Sequence, residues 1–205
     1  MHSYNIIEKG SLPDKAKNAL ILVHGRGATA HDILALADNF TDETWYIAAP
    51  QATNNTWYPY SFMSPVQQNE PWLSSAIDIL HKLLQNIESV LPAENIYLMG
   101  FSQGACLTAE VAARFARKYG GVVSFTGGLI GSELSYENYK GHFDGTCIYM
   151  SNGNRDPHIP LSRSFETQLQ LKRMGANVEL DIFPDRPHTI IEQELNRVKT
   201  LIFKR

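Results

Sequence analysis

Strand-like and helix-like segments take turns along almost all of the 205 residues. The apolar runs "ALILVH" (19–24), "TWYIAAP" (44–50), "NIYLMG" (95–100), "GVVSFTGG" (121–128), "GTCIYMSNG" (145–153) and "NVELDIFP" (177–184) read as strands. Residues 31–40, 71–91, 104–120, 161–175 and 189–205 carry apolar side chains at three- and four-residue spacing. That spacing lines one face of a helix. Pro71 stands near the first turn of the second such segment, and Gly120 and Gly175 close the third and fourth. These are ordinary start and stop signals for helices. Parallel neighbours in a sheet need a long crossover, and the crossover covers the sheet. The alternation therefore predicts a mostly parallel central sheet with helices on both faces. No linker-like stretch and no internal repeat divides the chain, so residues 1–205 read as one α/β domain.

One connection breaks the alternation. Residues 50–70, "PQATNNTWYPYSFMSPVQQNE", show neither period. A long irregular loop in a compact domain is usually functional or disordered. Trp57, Tyr58, Tyr60 and Phe62 make this one too aromatic for disorder. Residues 53–65 are expected to form one wall of a substrate pocket, with Trp57, Tyr58 and Phe62 touching substrate. The competing reading is an aromatic plug that seals the sheet edge.

Composition excludes several function classes. The formal net charge is −3 and no run of Lys or Arg occurs, which argues against a nucleic-acid partner. No stretch approaches the 18 apolar residues of a membrane span, and "MHSYNIIEKG" lacks the basic and apolar regions of a secretory signal. The two cysteines, Cys106 and Cys147, lack metal-site spacing and read as free thiols in a reducing compartment. The expectation is a soluble, cytoplasmic domain. A homodimer is left open.

The chemistry centres on "LMGFSQGACL" (98–107), where an apolar run meets Gly100-Phe101-Ser102-Gln103-Gly104 and a helix-like segment. A bare G-x-S-x-G arises by chance in about one in fifteen chains of this length, given ordinary glycine and serine usage. The strand–turn–helix context is more specific, because a nucleophilic serine is presented on a sharp turn of that kind. The helix start also favours negative charge developing beside the serine. A serine nucleophile needs a base, and histidine fits near neutral pH. Of the seven histidines, His158 and His188 follow predicted strands in site-like loops. Ser102, Asp156 and His188 satisfy the order serine, acid, histidine, each at a strand end. His158 is the competing base, and Asp185 and Asp144 are the competing acids. The loop "LVHGRGAT" (22–29) supplies a second feature. It would give the backbone N–H of Arg26 as an oxyanion donor beside that of Gln103. No phosphate-binding glycine motif occurs, and this chemistry calls for no metal and no cofactor.

With these residues in view, the chain resembles the α/β-hydrolase superfamily over essentially its full length. More narrowly it resembles the phospholipase/carboxylesterase family, which includes the acyl-protein thioesterases. "LVHGRGAT", "APQATNNTWY", "GFSQGA", "DPHIP" and "PHTI" carry the resemblance. It implies a minimal α/β-hydrolase fold with no large cap domain. It implies Ser102, Asp156 and His188 as a triad with Arg26 and Gln103 as oxyanion donors. It implies small-molecule esters, thioesters or lysophospholipids as substrates. An aspartate follows the H-G-x-G stretch in the thioesterase branch, where this chain has Ala28 and Thr29. The expected activity is therefore a serine carboxylesterase acting on short-to-medium acyl esters. A thioesterase or lysophospholipase on longer chains is the alternative enzyme, and a non-catalytic binding protein the alternative of another class. Arg26, Arg155 and Arg186 each sit inside a site motif, which raises the expectation of a positive rim for an anionic substrate group.

Overall fold

The computed structural model describes residues 1–204. Seven strands build one sheet: β1 (Ile6–Gly10), β2 (Asn18–Val23), β3 (Trp45–Pro50), β4 (Ile96–Phe101), β5 (Gly121–Phe125), β6 (Cys147–Gly153) and β7 (Asn177–Phe183). Their order is β1-β3-β2-β4-β5-β6-β7. Only β1 runs antiparallel to its neighbour; every other pairing is parallel. Five α-helices are interleaved: α1 (Ala30–Leu34), α2 (Trp72–Glu88), α3 (Gln103–Arg114), α4 (Leu161–Arg173) and α5 (Glu192–Val198). This is the minimal α/β-hydrolase architecture.

Successive side chains on a strand point to opposite faces, and the buried strands show it. Ala19, Ile21 and Val23 of β2 join a core with Leu73, Leu80 and Leu84 of α2, Leu107 of α3 and Leu171 of α4. Leu20 and Leu22 join the opposite core with Ile33 and Leu34 of α1, and with Val198 and Ile202. Helices therefore cover both faces. Each fully buried leucine or isoleucine in these layers is worth about 1.5–3 kcal/mol. Among the described residues, no helix is long and apolar enough to cross a membrane. Cys106 in α3 and Cys147 in β6 are both free, the first buried and the second half-buried.

Four elements differ from the sequence reading. β1 lies in a segment read only as a chain start. Its burial is slight because it is an edge strand, so "IIEKG" carries little of the apolar run that marks the interior strands. The helix expected over 31–40 is α-helical only to Leu34 and then tightens into a 3₁₀ turn, Ala35–Asn39. That turn lets Phe40 bury completely, while the Thr41 side chain closes on the Ala37 carbonyl at 2.9 Å. The third helix stops at Arg114, six residues before Gly120. There Phe115 stacks on His81 of α2, with ring centroids 3.7 Å apart. The final helix starts at Glu192 and ends in a π turn, Lys199–Phe203. Arg205, the last residue of the expected segment, lies outside the described residues.

Candidate active site

β4 ends at Phe101 and α3 starts at Gln103, so Ser102 stands alone on the turn between them. Its backbone is left-handed, with φ +56° and ψ −120°. For a residue with a side chain that conformation costs about 1–3 kcal/mol. Two hydrogen bonds hold it. The Ser102 N–H donates to the Phe125 carbonyl, and the Cys106 N–H donates to the Ser102 carbonyl, both at 3.0 Å. The flanking glycines are required by contact. A Cβ at Gly100 would lie 2.4 Å from the Gly104 carbonyl oxygen, and one at Gly104 would lie 2.1 Å from that of Val23. The start of α3 is thus pressed against the ends of β2 and β4, with the serine hydroxyl raised above the sheet.

His188 follows β7 and reaches that hydroxyl. The Ser102 Oγ and His188 Nε2 are 2.8 Å apart, and His188 Nδ1 is 2.7 Å from Asp156 Oδ2. A carboxylate only accepts, so Nδ1 carries the ring proton and Nε2 is left to accept from Ser102. Asp156 sits in the turn after β6 with its carboxylate fully buried. Its other oxygen accepts the backbone N–H groups of His158 at 2.9 Å and Ile159 at 3.0 Å. Burial pushes this carboxyl upward. The hydrogen bonds from His188, His158 and Ile159, with the attraction of His188, outweigh it and hold the group below the usual carboxylate value.

The alternatives raised by the sequence fall elsewhere. The His158 ring packs edge-on against His188, with centroids 4.8 Å apart, and contributes its main-chain N–H to Asp156. Asp144 pairs with His142 on the surface, and Asp185 with Arg155 at 3.3 Å, also exposed. The three arginines do not form a rim. The Arg186 side chain is buried, donates to Thr126 Oγ1 at 2.6 Å and to the Pro187 and Thr189 carbonyls, and so ties down the loop that carries His188. Arg26 is spent on backbone carbonyls, as described below. Arg155 is exposed, and it already has its aspartate.

Ser102 opens onto a cleft of about 560 Å³. Arg26, Tyr60 and His158 stand at its edge, and Gln103, Phe62 and Ile159 line it from buried positions. Tyr58 and Cys106 also border it. Cys106 lies one helical turn beyond Ser102, and burial pushes its thiol up to about 12, so it stays neutral there. Sequence reading missed Cys106 and Ile159; the signal for Cys106 was its position four residues along α3, on the serine's own face.

Residues 53–65 have no ladder to satisfy their backbone, so side chains do it. The Gln103 carboxamide accepts from the Trp57 N–H and donates to the Tyr58 carbonyl, each at 2.9 Å. The Arg26 guanidinium donates to the carbonyls of Tyr58, Pro59 and Tyr60 at 2.8–2.9 Å. Asn69 accepts from the Tyr60 N–H and donates to the Ser61 carbonyl. His24 accepts from the Ala52 N–H at 3.1 Å, and His2 from the Thr53 N–H at 3.1 Å.

Trp57 is a correction to the expected pocket wall. It is fully buried, donates its indole N–H to the His24 carbonyl at 2.9 Å and packs between the His2 and His24 rings. It faces the core, as the plug reading had it, while Tyr58 and Phe62 border the cleft. Trp57→Ala is therefore expected to cost about 3–5 kcal/mol. For a chain of this size that lowers the melting temperature by roughly 6–20 °C. Esters of every acyl length should lose activity alike. A shifted chain-length preference with little change in thermal unfolding would return Trp57 to the pocket.

Burial pushes the pKa of both His24 and His2 below the ordinary 6.5. The folded protein favours the neutral rings, so below that value the unfolded chain binds more protons. Their contribution to stability is complete above about pH 6.5 and is lost as the pH falls from there toward the depressed values. Thermal melts should show a lower midpoint at pH 5 than at pH 7. A midpoint that rises on acidification would contradict the neutral, loop-holding role of these rings.

A serine on a strained strand–helix turn, with histidine and aspartate delivered by later strand ends of a parallel sheet, defines an α/β hydrolase. The pattern of the phospholipase/carboxylesterase family matches residues 2–204, and the chain belongs to that family. It is a carboxylic ester hydrolase of the serine type. The solved phospholipase/carboxylesterase of Dyadobacter fermentans is 51% identical, with a TM-score of 0.96 over 98% of this chain and 97% of that one. Acyl-protein thioesterase 1 of Debaryomyces hansenii is 25% identical over 88% of each chain. The Bacillus cereus carboxylesterase, at 20% identity and a TM-score of 0.75 over 97% of this chain and 93% of its own, shares the fold.

Proposed function

We propose that the protein hydrolyses short-to-medium acyl esters by two-step acyl transfer to water. The observation that carries this is the His188 ring, spanning 2.8 Å to the Ser102 hydroxyl and 2.7 Å to the Asp156 carboxylate. His188 Nε2 takes the hydroxyl proton as Ser102 Oγ attacks the ester carbonyl. The oxyanion is received by the backbone N–H groups of Arg26 and Gln103. The carbon–oxygen bond to the leaving group breaks, and the imidazolium hands that group its proton. His188 then takes a proton from water, which attacks the acyl-enzyme and releases the acid, and Ser102 recovers its proton. Asp156 keeps the ring in one tautomer and balances its positive charge.

Phe62, Cys106 and Ile159 give the cleft an apolar lining beside Ser102, which suits a hydrocarbon acyl group. A second reading, a thioesterase, draws on the relatives named acyl-protein thioesterase. Both leaving groups pass through the same tetrahedral intermediate. The reading includes one catalytic domain over residues 1–205, acting in the cytoplasm without a cofactor. Purified protein tested on p-nitrophenyl esters from acetate to palmitate, beside acyl-CoA and lysophospholipid, separates these. The expected result is a maximum at acetate to hexanoate. A preference for palmitoyl substrates would replace it with the long-chain reading. Absence of turnover and of fluorophosphonate labelling would favour a binding protein.

A further inference from the structure

Arg26 and Gln103 each have two ends that face different tasks. Their backbone N–H groups stand at the elbow and the neighbouring glycine loop, where Gly25 packs on Ser102: a Cβ at Gly25 would lie 3.5 Å from the Ser102 Cβ. Their side chains grip the far wall of the cleft. Arg26 crosses to three consecutive carbonyls, Tyr58, Pro59 and Tyr60, and Gln103 brackets Trp57 and Tyr58. The loop they hold is otherwise poor in backbone pairing, and no element of the sheet fixes it. Arg26 is anchored in turn by its neighbour, since the Gly27 N–H donates to the Asn55 carbonyl at 2.7 Å. Gln103 is nearly fully buried, so its amide has no alternative partner in water.

The geometry points to a coupling function for these two side chains. They are positioning residues that tie the segment 56–60, whose Tyr58, Pro59 and Tyr60 border the cleft on what we assign as the acyl side, to the two oxyanion N–H groups. An acyl group that fills the cleft and seats the wall also sets the donors that receive the oxyanion, so the protein selects its acyl group in kcat more than in KM. This rests on the acyl-transfer reading above. Interactions that tighten only in the transition state act on kcat, and a displacement on the scale of 1 Å at such a donor can cost about a hundredfold.

The test is Arg26→Met, which keeps the backbone donor and the aliphatic stem and removes all three carbonyl contacts. Steady-state kinetics on p-nitrophenyl acetate, butyrate and hexanoate should show kcat lowered about 10- to 100-fold on the best substrate. KM should change less than about threefold, and the differences in kcat between acyl lengths should collapse. Arg26→Lys should regain part of the selectivity, because an ammonium carries three donors and the carbonyls are clustered. An unchanged Arg26→Met profile, or an equal loss on all three esters, would overturn the coupling. Should that variant not fold, the wild type answers the question. Labelling Ser102 with a methyl-substituted fluorophosphonate fills the oxyanion site and leaves the acyl wall untouched. Coupling then requires slower amide hydrogen exchange over residues 56–60, since linkage is reciprocal. Unaltered exchange there would reject it. Lack of labelling or of ester turnover in the wild type would instead fail the acyl-transfer reading, an outcome the Arg26 comparison cannot produce.

Discussion

Ser102→Ala is expected to lower kcat on p-nitrophenyl butyrate by about 10⁴- to 10⁶-fold, with KM little changed. The protein should also lose all labelling by a fluorophosphonate. The size follows from the geometry. Without Oγ, His188 has nothing to deprotonate but water, and no acyl-enzyme forms. What remains is the oxyanion site and binding, which sustain about 10³–10⁴ over the uncatalysed rate. The substitution should leave the fold intact, because alanine at φ +56° keeps the same backbone strain while nothing in the core is lost. A Ser102→Ala protein with wild-type turnover, purified away from contaminating esterase, would remove the nucleophile from this site.

The second large effect separates two histidines. His188→Ala should cost as much as the serine substitution to within about a hundredfold, because the two act as one unit and their losses do not add. His158→Ala should remain within about tenfold of wild type. It loses an edge-on ring contact worth about 0.5–1.5 kcal/mol but keeps the main-chain N–H that holds Asp156. The decisive readout is the ratio of the two variants on one ester. A dead His158→Ala beside an active His188→Ala would invert the base assignment.

The interior strands were legible because they are buried on both sides and read as unbroken apolar runs. The other edge strand, β7, was still readable from the alternation of Val178, Leu180 and Ile182, whereas β1 was not, because "IIEKG" offers only two adjacent apolar residues and no alternation. Helix existence was readable, whereas helix ends were decided by tertiary partners: the burial of Phe40 and the stacking of Phe115 on His81 have no local signal. At the site, residue type and order sufficed to nominate Ser102, Asp156 and His188, because nucleophile, base and acid must each be of a chemical kind. Direction was not readable. Trp57 and Tyr58 are adjacent and both aromatic, yet one turns to the core and the other borders the cleft. Arg26 and Arg186 lay in the right motifs, but their charges are consumed by carbonyls, a hydroxyl and Glu194, pairings that only the folded chain defines.

The manner in which the cleft wall is fastened bears on how freely this protein could be redesigned. Its backbone is held by side chains rooted outside it: Arg26, Gln103 and Asn69. The wall's own outward residues carry little of that duty. Tyr60 is 57% exposed, and it enters the fastening through its main chain alone, at the Arg26 and Asn69 contacts. Scaffold and specificity are therefore separable at this point in the chain. A library confined to Tyr60 would vary the chemistry at the mouth of the cleft while leaving the frame that carries it in place.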